Sequence, residues 1–203
     1  VTANPKSSAP QPVAKQPKRA RTRALLIDAT ARLVAEKGFE RVSLEDVASA
    51  AGMTRGAVYG NFANKEDLLL AMVAEKWQPI MPPLDAGAGF AEQMAGLAEA
   101  IVGAMAARRA MGVAAASFQL YALTHPAMRE RIETANSEIY RALAERVRAS
   151  GDAEALPVAP ETLVRVLHAL VDGLMFLHAL TPALIDAAVV RGAFSLIAAS
   201  GAD

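Results

Sequence analysis

GMTRGAVYGNFANKEDL, residues 52–68, holds three glycines within nine positions: Gly52, Gly56 and Gly60. A glycine inside a helix costs about 1 kcal/mol relative to alanine. Yet good helix formers flank the stretch on both sides. Upstream, SLED (43–46) offers Ser43 as an N-cap and Asp46 three residues on, a capping-box pattern that opens a helix ended by Gly52. Downstream, Thr54 caps a helix predicted over Arg55–Phe62, and Asn64 caps another from Lys65 to about Trp77. Two helices joined by a short glycine turn form a helix-turn-helix pattern, whose second helix enters the major groove of DNA.

The residue types fit that use. Gly56, Ala57 and Gly60 are small enough to let the backbone approach DNA closely. Arg55 stands near the helix start, where an arginine reads guanine, and the methyl of Ala57 suits a thymine methyl. Tyr59, Asn61 and Lys65 carry a hydroxyl, an amide and an ammonium, which suit phosphate oxygens. Lys65 also opens its helix, where free backbone N–H groups favour an anion. With Ser43 and Thr54 these make the candidate DNA-contact set. Plainer roles exist: Phe62 as a core plug, Tyr59 as part core, Gly60 as relief for a tight turn. Helix–glycine–helix patterns also occur in bundles that touch no DNA.

Outward from this stretch the chain is all-α. A first helix is expected from about Thr22 to Lys37, stopped by Gly38. After a Pro- and Gly-rich linker (79–89), long helices are expected over about 90–107, 109–123, 126–149, 160–179 and 183–199. That gives about nine helices in three parts: a basic tail read as disordered (1–19), a DNA-binding unit (20–77) and a larger helical body (78–203). Formal net charge is zero, but residues 1–77 hold 12 Lys+Arg against 8 Asp+Glu, and the remainder 9 against 13. Lys6, Lys15, Lys18, Arg19, Arg21 and Arg23 precede any acid. The basic half thus faces a polyanion or is simply a solvated tail.

The 203 residues include no cysteine, so disulfides and thiolate metal sites are excluded. No uninterrupted apolar run reaches about 18 residues. The chain begins at Val1, and its Pro-, Ala- and Ser-rich start is not the pattern of a secretory signal. A cytoplasmic location is expected.

The span IDATARLVAEKGFERVSLEDVASAAGMTRGAVYGNFANKEDLL (27–69) resembles the DNA-binding domain of the TetR family of bacterial transcriptional regulators. The likeness is carried by Ala29, Gly38-Phe39, Ser43, Val47-Ala48, Ala51-Gly52, Tyr59-xx-Phe62 and Lys65-xx-Leu68. Gly60 and Asn61 depart from the bulkier or aromatic residues common there, and Thr30 and Val34 replace the usual Ala and Phe. The resemblance implies a homodimer on a palindromic operator, and a body that binds a small molecule and releases DNA. It also implies a four-helix dimer interface made by the last two helices of each subunit.

Those last two helices, within 160–199, are apolar nearly all round, and a helix apolar on every face needs burial on every face. Gly173 and Gly192 would permit close approach of a partner; a large monomeric core is the other reading. A pocket for an apolar effector is expected between the fifth and eighth helices. Its candidate residues are Phe90, Met94, Met105, Met111, Phe118, Tyr121, His168, Met175 and Phe176. Each also suits plain core. His168 and His178, with Asp172 between, have no recognised metal spacing, so structural histidines and no metal or cofactor are expected. HExxH, GxSxG and P-loop motifs are absent. The function expected is a ligand-responsive repressor. The alternative is a helical small-molecule-binding protein or enzyme whose basic N-terminus is incidental.

Overall fold

The computed structural model describes residues 18–77, 80, 82, 87–149 and 156–201. Tail residues 1–17, most of the 79–89 linker and the break at 150–155 lie outside them. Among the described residues there are nine helices and no strand. They are α1 (Lys18–Lys37), α2 (Leu44–Ala50), α3 (Arg55–Tyr59), α4 (Lys65–Lys76), α5 (Phe90–Ala110), α6 (Gly112–Thr124), α7 (Pro126–Ala149), α8 (Pro160–Leu180) and α9 (Ala187–Ala199).

Three boundaries differ from expectation, each for a local reason. α1 starts at Lys18, so Lys18 and Arg19 are helical rather than tail. Lys, Arg and Ala propagate a helix well, and Arg19 is anchored by donating to the Gly60 carbonyl at 3.4 Å. α3 stops at Tyr59 because Gly60 closes it and the Asn61 amide turns back onto the Ala57 carbonyl at 2.8 Å. α9 begins at Ala187, not 183, because Asp186 caps it by accepting from the Ala188 and Val189 N–H groups.

One apolar cluster joins α1–α4 to α6 and the start of α7: Leu26, Ile27, Val34, Phe39, Val47, Val58, Phe62, Leu68 and Met72 meet Phe118, Tyr121 and Met128. The buried Thr30 is satisfied by donating to the Leu26 carbonyl at 2.8 Å. A second cluster packs α5 against α8 and α9 through Met94, Ile101, Met105, Leu174, Val190 and Phe194. Thus α6 belongs to the core of the N-terminal unit, α1–α4 (the head), as well as to the body. Gly38 makes that seam possible. It has φ 77, and a Cβ there would lie 3.3 Å from Ser117 Cβ. The next residue, Phe39, donates its N–H to Ser117 Oγ at 3.3 Å.

α8 and α9 leave apolar residues uncovered. Leu180, Leu184 and Leu196 are 63%, 72% and 76% exposed. By length and mean hydropathy α8 is also apolar enough to cross a membrane, although Arg165, His168 and Asp172 interrupt it.

Candidate nucleic-acid interface and ligand cavity

The helix-turn-helix is fixed by its caps. Ser43 Oγ accepts from the Asp46 N–H at 3.1 Å, and Asp46 Oδ2 accepts from the Ser43 N–H at 3.0 Å. The Lys37 ammonium donates to the same carboxylate oxygen at 2.6 Å. These donors, Lys37 foremost, hold the Asp46 carboxyl down at about 2. A depressed carboxyl contributes stability that is present above its unfolded value, near 3.9, and lost as pH falls toward its folded value. Asp46→Asn should therefore be less stable than the parent at pH 7, with the gap in urea midpoint closing between about pH 4 and pH 2. A gap that stays constant to pH 2 would show that the carboxylate charge is not what matters.

The turn requires one glycine of the three. Gly52 has φ 64, in the left-handed region, whereas Gly60 has φ −72. A Cβ at Gly56 would lie 3.8 Å from Thr54 Oγ1, an ordinary contact, so the fold itself does not demand glycine there.

α3 is short, and it is held by the fully buried Val58, by Phe62, and by Thr54 Oγ1 accepting from the Ala57 N–H at 3.3 Å. Its outer face presents Thr54, Arg55, Gly56, Tyr59 and Gly60, with Ala57 half-buried. Tyr59 is 47% exposed. The Arg55 guanidinium donates from NH2 to the Tyr59 hydroxyl at 3.2 Å and lies 3.1 Å, through Nε, from Glu45 Oε1. One of its five N–H donors is thus hydrogen-bonded within the protein, the Glu45 carboxylate acts on it as a neighbouring charge, and the NH1 end of the fork is left unengaged by these two contacts.

Two expected phosphate contacts stand differently. Asn61 commits its amide N–H to the Ala57 carbonyl, and its Oδ1 is buried, so it serves as a helix terminator rather than an outward donor. Lys65 donates to the Glu40 carbonyl at 3.0 Å and lies 5.3 Å from the centre of the Tyr121 ring, which turns it toward α6. Cations absent from the expected set stand near α3 instead. Arg19 and Arg23 donate to the Gly60 and Asn61 carbonyls at 3.4 Å each, and Arg23 stacks 4.4 Å over Phe62. The basic run was legible; that it starts a helix leaning on α3 was not. No sequence spacing pairs Glu45 with Arg55 across the turn.

Behind the head, α4 to α8 surround a cavity of about 1900 Å³. Phe90, Met94, Met111, Phe118, His168, Met175 and Phe176 line it as expected. Met105 and Tyr121 do not line it. Met105 is packed in the α5–α8–α9 core. Tyr121 faces the head, donating its hydroxyl to Glu66 Oε1 at 2.8 Å and stacking on His125 at 3.8 Å. Burial and the Glu66 charge push the Tyr121 phenol up, and its hydrogen bond holds Glu66 down. Helical spacing marks such residues as buried but does not say which of two cores receives them.

The cavity reaches the head directly. Trp77 and Phe118 line it, 5.3 Å apart edge to face, and both rings pack on Phe39, at 6.1 and 4.9 Å. Polar groups on its walls include Gln119, Asn136, Tyr140, His168 and Asp172. His178 is structural, with Nδ1 against the Ile185 carbonyl at 2.7 Å.

A family model described as "Bacterial regulatory proteins, tetR family" matches residues 26–72. One described as "BetI-type transcriptional repressor, C-terminal" matches residues 90–199. The HTH-type transcriptional regulator TtgR of Pseudomonas putida is 44% identical over 52 residues, 26% of this chain and 25% of that protein. The match therefore spans about a quarter of that curated relative's length. Among solved structures, Salmonella enterica GusR aligns with TM-score 0.70 at 21% identity, covering 91% of this chain and 99% of that one. A SmeT–triclosan complex aligns with TM-score 0.60 at 22% identity, covering 88% and 90%.

Proposed function

The chain belongs to the TetR family of bacterial transcriptional regulators, and we propose that it is a cytoplasmic repressor that leaves a palindromic operator when a small apolar effector enters the cavity. Its relatives are DNA-binding regulators, not enzymes, and so is this protein. Repression is supported by the description of the family model matched over 90–199. An apolar effector is supported by Leu70, Val73, Trp77, Phe118, Ile132, Met175 and Phe176 in the lining, beside which charged residues such as Arg129, Arg131 and Asp172 also stand. The SmeT–triclosan neighbour has the same fold with a small molecule bound.

In this reading Arg55 addresses a base edge, while Ser43, Thr54, Tyr59 and Lys65 address the backbone. Ala57 and Gly60 allow close approach. Lys65 keeps two ammonium N–H donors beyond the one on Glu40, and the hydroxyls of Ser43 and Thr54 remain donors while accepting as caps. The homodimer would form through 160–199, where the uncovered leucines lie.

The observation that carries ligand response is the shared wall: Phe118 and Trp77 touch both the cavity and Phe39 of the head. A molecule that shifts α6 also acts on α4 through Tyr121–Glu66, and α7 is tied to α4 by Arg131–Asp67 at 2.6 Å. A hundredfold loss of operator affinity requires about 2.7 kcal/mol of coupling, and the operator must weaken the effector by the same factor. The test is to titrate a cavity-binding compound into the protein–operator complex. Tyr121→Phe should leave operator affinity near wild type and reduce the ligand effect by about 0.5–1.5 kcal/mol, the usual net value of one hydrogen bond. Tight cavity binding with no change in operator affinity would defeat the switch.

A further inference from the structure

We infer that the effector carries a protonated nitrogen on an apolar body, and that Asp172, set by His168 and Tyr140, receives that nitrogen. The inference rests on the cavity being the effector site and amends that reading in one respect: the effector is amphipathic, an apolar body with one cationic end. Tyr140 on α7 meets His168 Nδ1 on α8, and His168 Nε2 lies 3.5 Å from Asp172 Oδ2. Burial, with the Asp172 charge, pushes the Tyr140 phenol up, so it remains a donor. With the phenol donating, Nδ1 is the acceptor, and Nε2 on the far side of the ring stands 3.5 Å from Asp172 Oδ2. The carboxylate keeps its other oxygen as an acceptor with no protein cation placed on it by this chain of contacts.

The helix register shows what lies beside it. Tyr140 pairs with His168, and Arg148 pairs with Glu161, so α7 and α8 run antiparallel with a fixed offset. One turn from Tyr140, Asn136 comes level with Asp172, and both line the cavity. A further turn brings Ile132 level with Phe176, and both line it too. Two polar rungs therefore give way to an apolar one in the direction of Phe118 and Trp77. A cation at the Asp172 rung would have its apolar body on the wall shared with the head. Arg165, also on α8, lines the same cavity and its charge is felt at Tyr140, but it stands seven residues from Asp172, about 10 Å along the axis.

The ladder is also separate from the face assigned to the partner subunit. Val166, Gly173, Leu177 and Leu180 share one side of α8 and are exposed, with Leu170 between them partly buried in the chain's own core. At about 100° per residue His168 and Asp172 point roughly 200–240° away from Val166. A second copy on that stripe would leave the ladder facing the cavity.

Trp77 is the only tryptophan of the chain and lines the cavity, so its fluorescence reports occupancy. The probes are decylamine, decanol and decanoate, matched in chain length and used below micelle formation. Decylamine is expected to bind up to about fivefold more tightly than decanol, the range for an ion pair with a carboxylate that is more than half exposed, and decanoate most weakly. Asp172→Asn should remove that preference and leave decanol binding unchanged, while Asp172→Glu should restore part of it. Unchanged decanol binding also shows that the variant is folded. Equal binding of amine and alcohol, tightest binding of decanoate, no binding of the amine, or a preference that survives Asp172→Asn would each overturn the assignment. Asp172-dependent amine binding that fails to release operator would sink the switch proposed above but not this site.

Discussion

Arg55→Ala is expected to weaken binding to a cognate operator by about 1–3 kcal/mol and to flatten the preference at one base pair. The size follows from what the residue offers. Arg55 is exposed at the first position of α3, ahead of the buried Val58 that anchors the helix. Tyr59 accepts one of its NH2 hydrogens and the Glu45 carboxylate lies 3.1 Å from its Nε, so the guanidinium is biased toward one orientation. A pre-set fork loses less entropy on meeting guanine O6 and N7. The check is fluorescence anisotropy over operators changed one base pair at a time. Loss confined to one position supports base reading. Equal loss at every sequence, with a salt slope lower by about one, would make Arg55 a phosphate contact.

Gly173→Leu should dissociate the dimer by about 1–3 kcal/mol, the usual cost of overpacking a close contact, while leaving each protomer folded. The two halves of that statement have separate grounds. Within one chain a Cβ at Gly173 meets nothing within 4 Å, so the protomer has room for a side chain. Between chains, Gly173 lies in the stripe formed by Val166, Leu177 and Leu180, which this chain leaves uncovered. Gly192 on α9 is equally open and sits near the exposed Val189 and Leu196. Operator binding should weaken with the dimer, because two heads on half-sites about 34–36 Å apart act together. Light scattering and thermal unfolding distinguish the outcomes. An unchanged dimer places the interface elsewhere, and a protomer that melts early places Gly173 in the core.

Local chemistry was legible in the sequence because its partners are neighbours in the chain. Ser43 with Asp46, Thr54 with Ala57, Asn64 with Asp67, and the left-handed turns at Gly38 and Gly52 all close within a few residues. Phe62 was legible as core because no outward role competes for a phenyl ring. What stayed hidden spans long separations. Tyr121 reaches Glu66 across 55 residues, and Gly112 admits α8, since a Cβ there would lie 2.9 Å from Ala179 Cβ. The helix pattern of α6 marks Phe118 and Tyr121 alike as buried. Only the packing shows that the first lines the cavity and the second faces α4. The polar ladder was hidden for the same reason. His168 was legible as a candidate pocket residue, but its contact with Tyr140, 28 residues away on α7, and the register that contact sets were not.

The most direct measurement is selection of bound fragments from a genomic library by the purified full chain, followed by footprinting of the enriched sequence. The expected result is one palindromic motif whose half-sites lie about 34–36 Å apart centre to centre, or a multiple of that, bound by two copies of the chain with affinity that falls steeply with salt. Recovery of fragments in proportion to length alone, with no shared motif, would contradict the central claim that α3 reads a specific operator as part of a dimer.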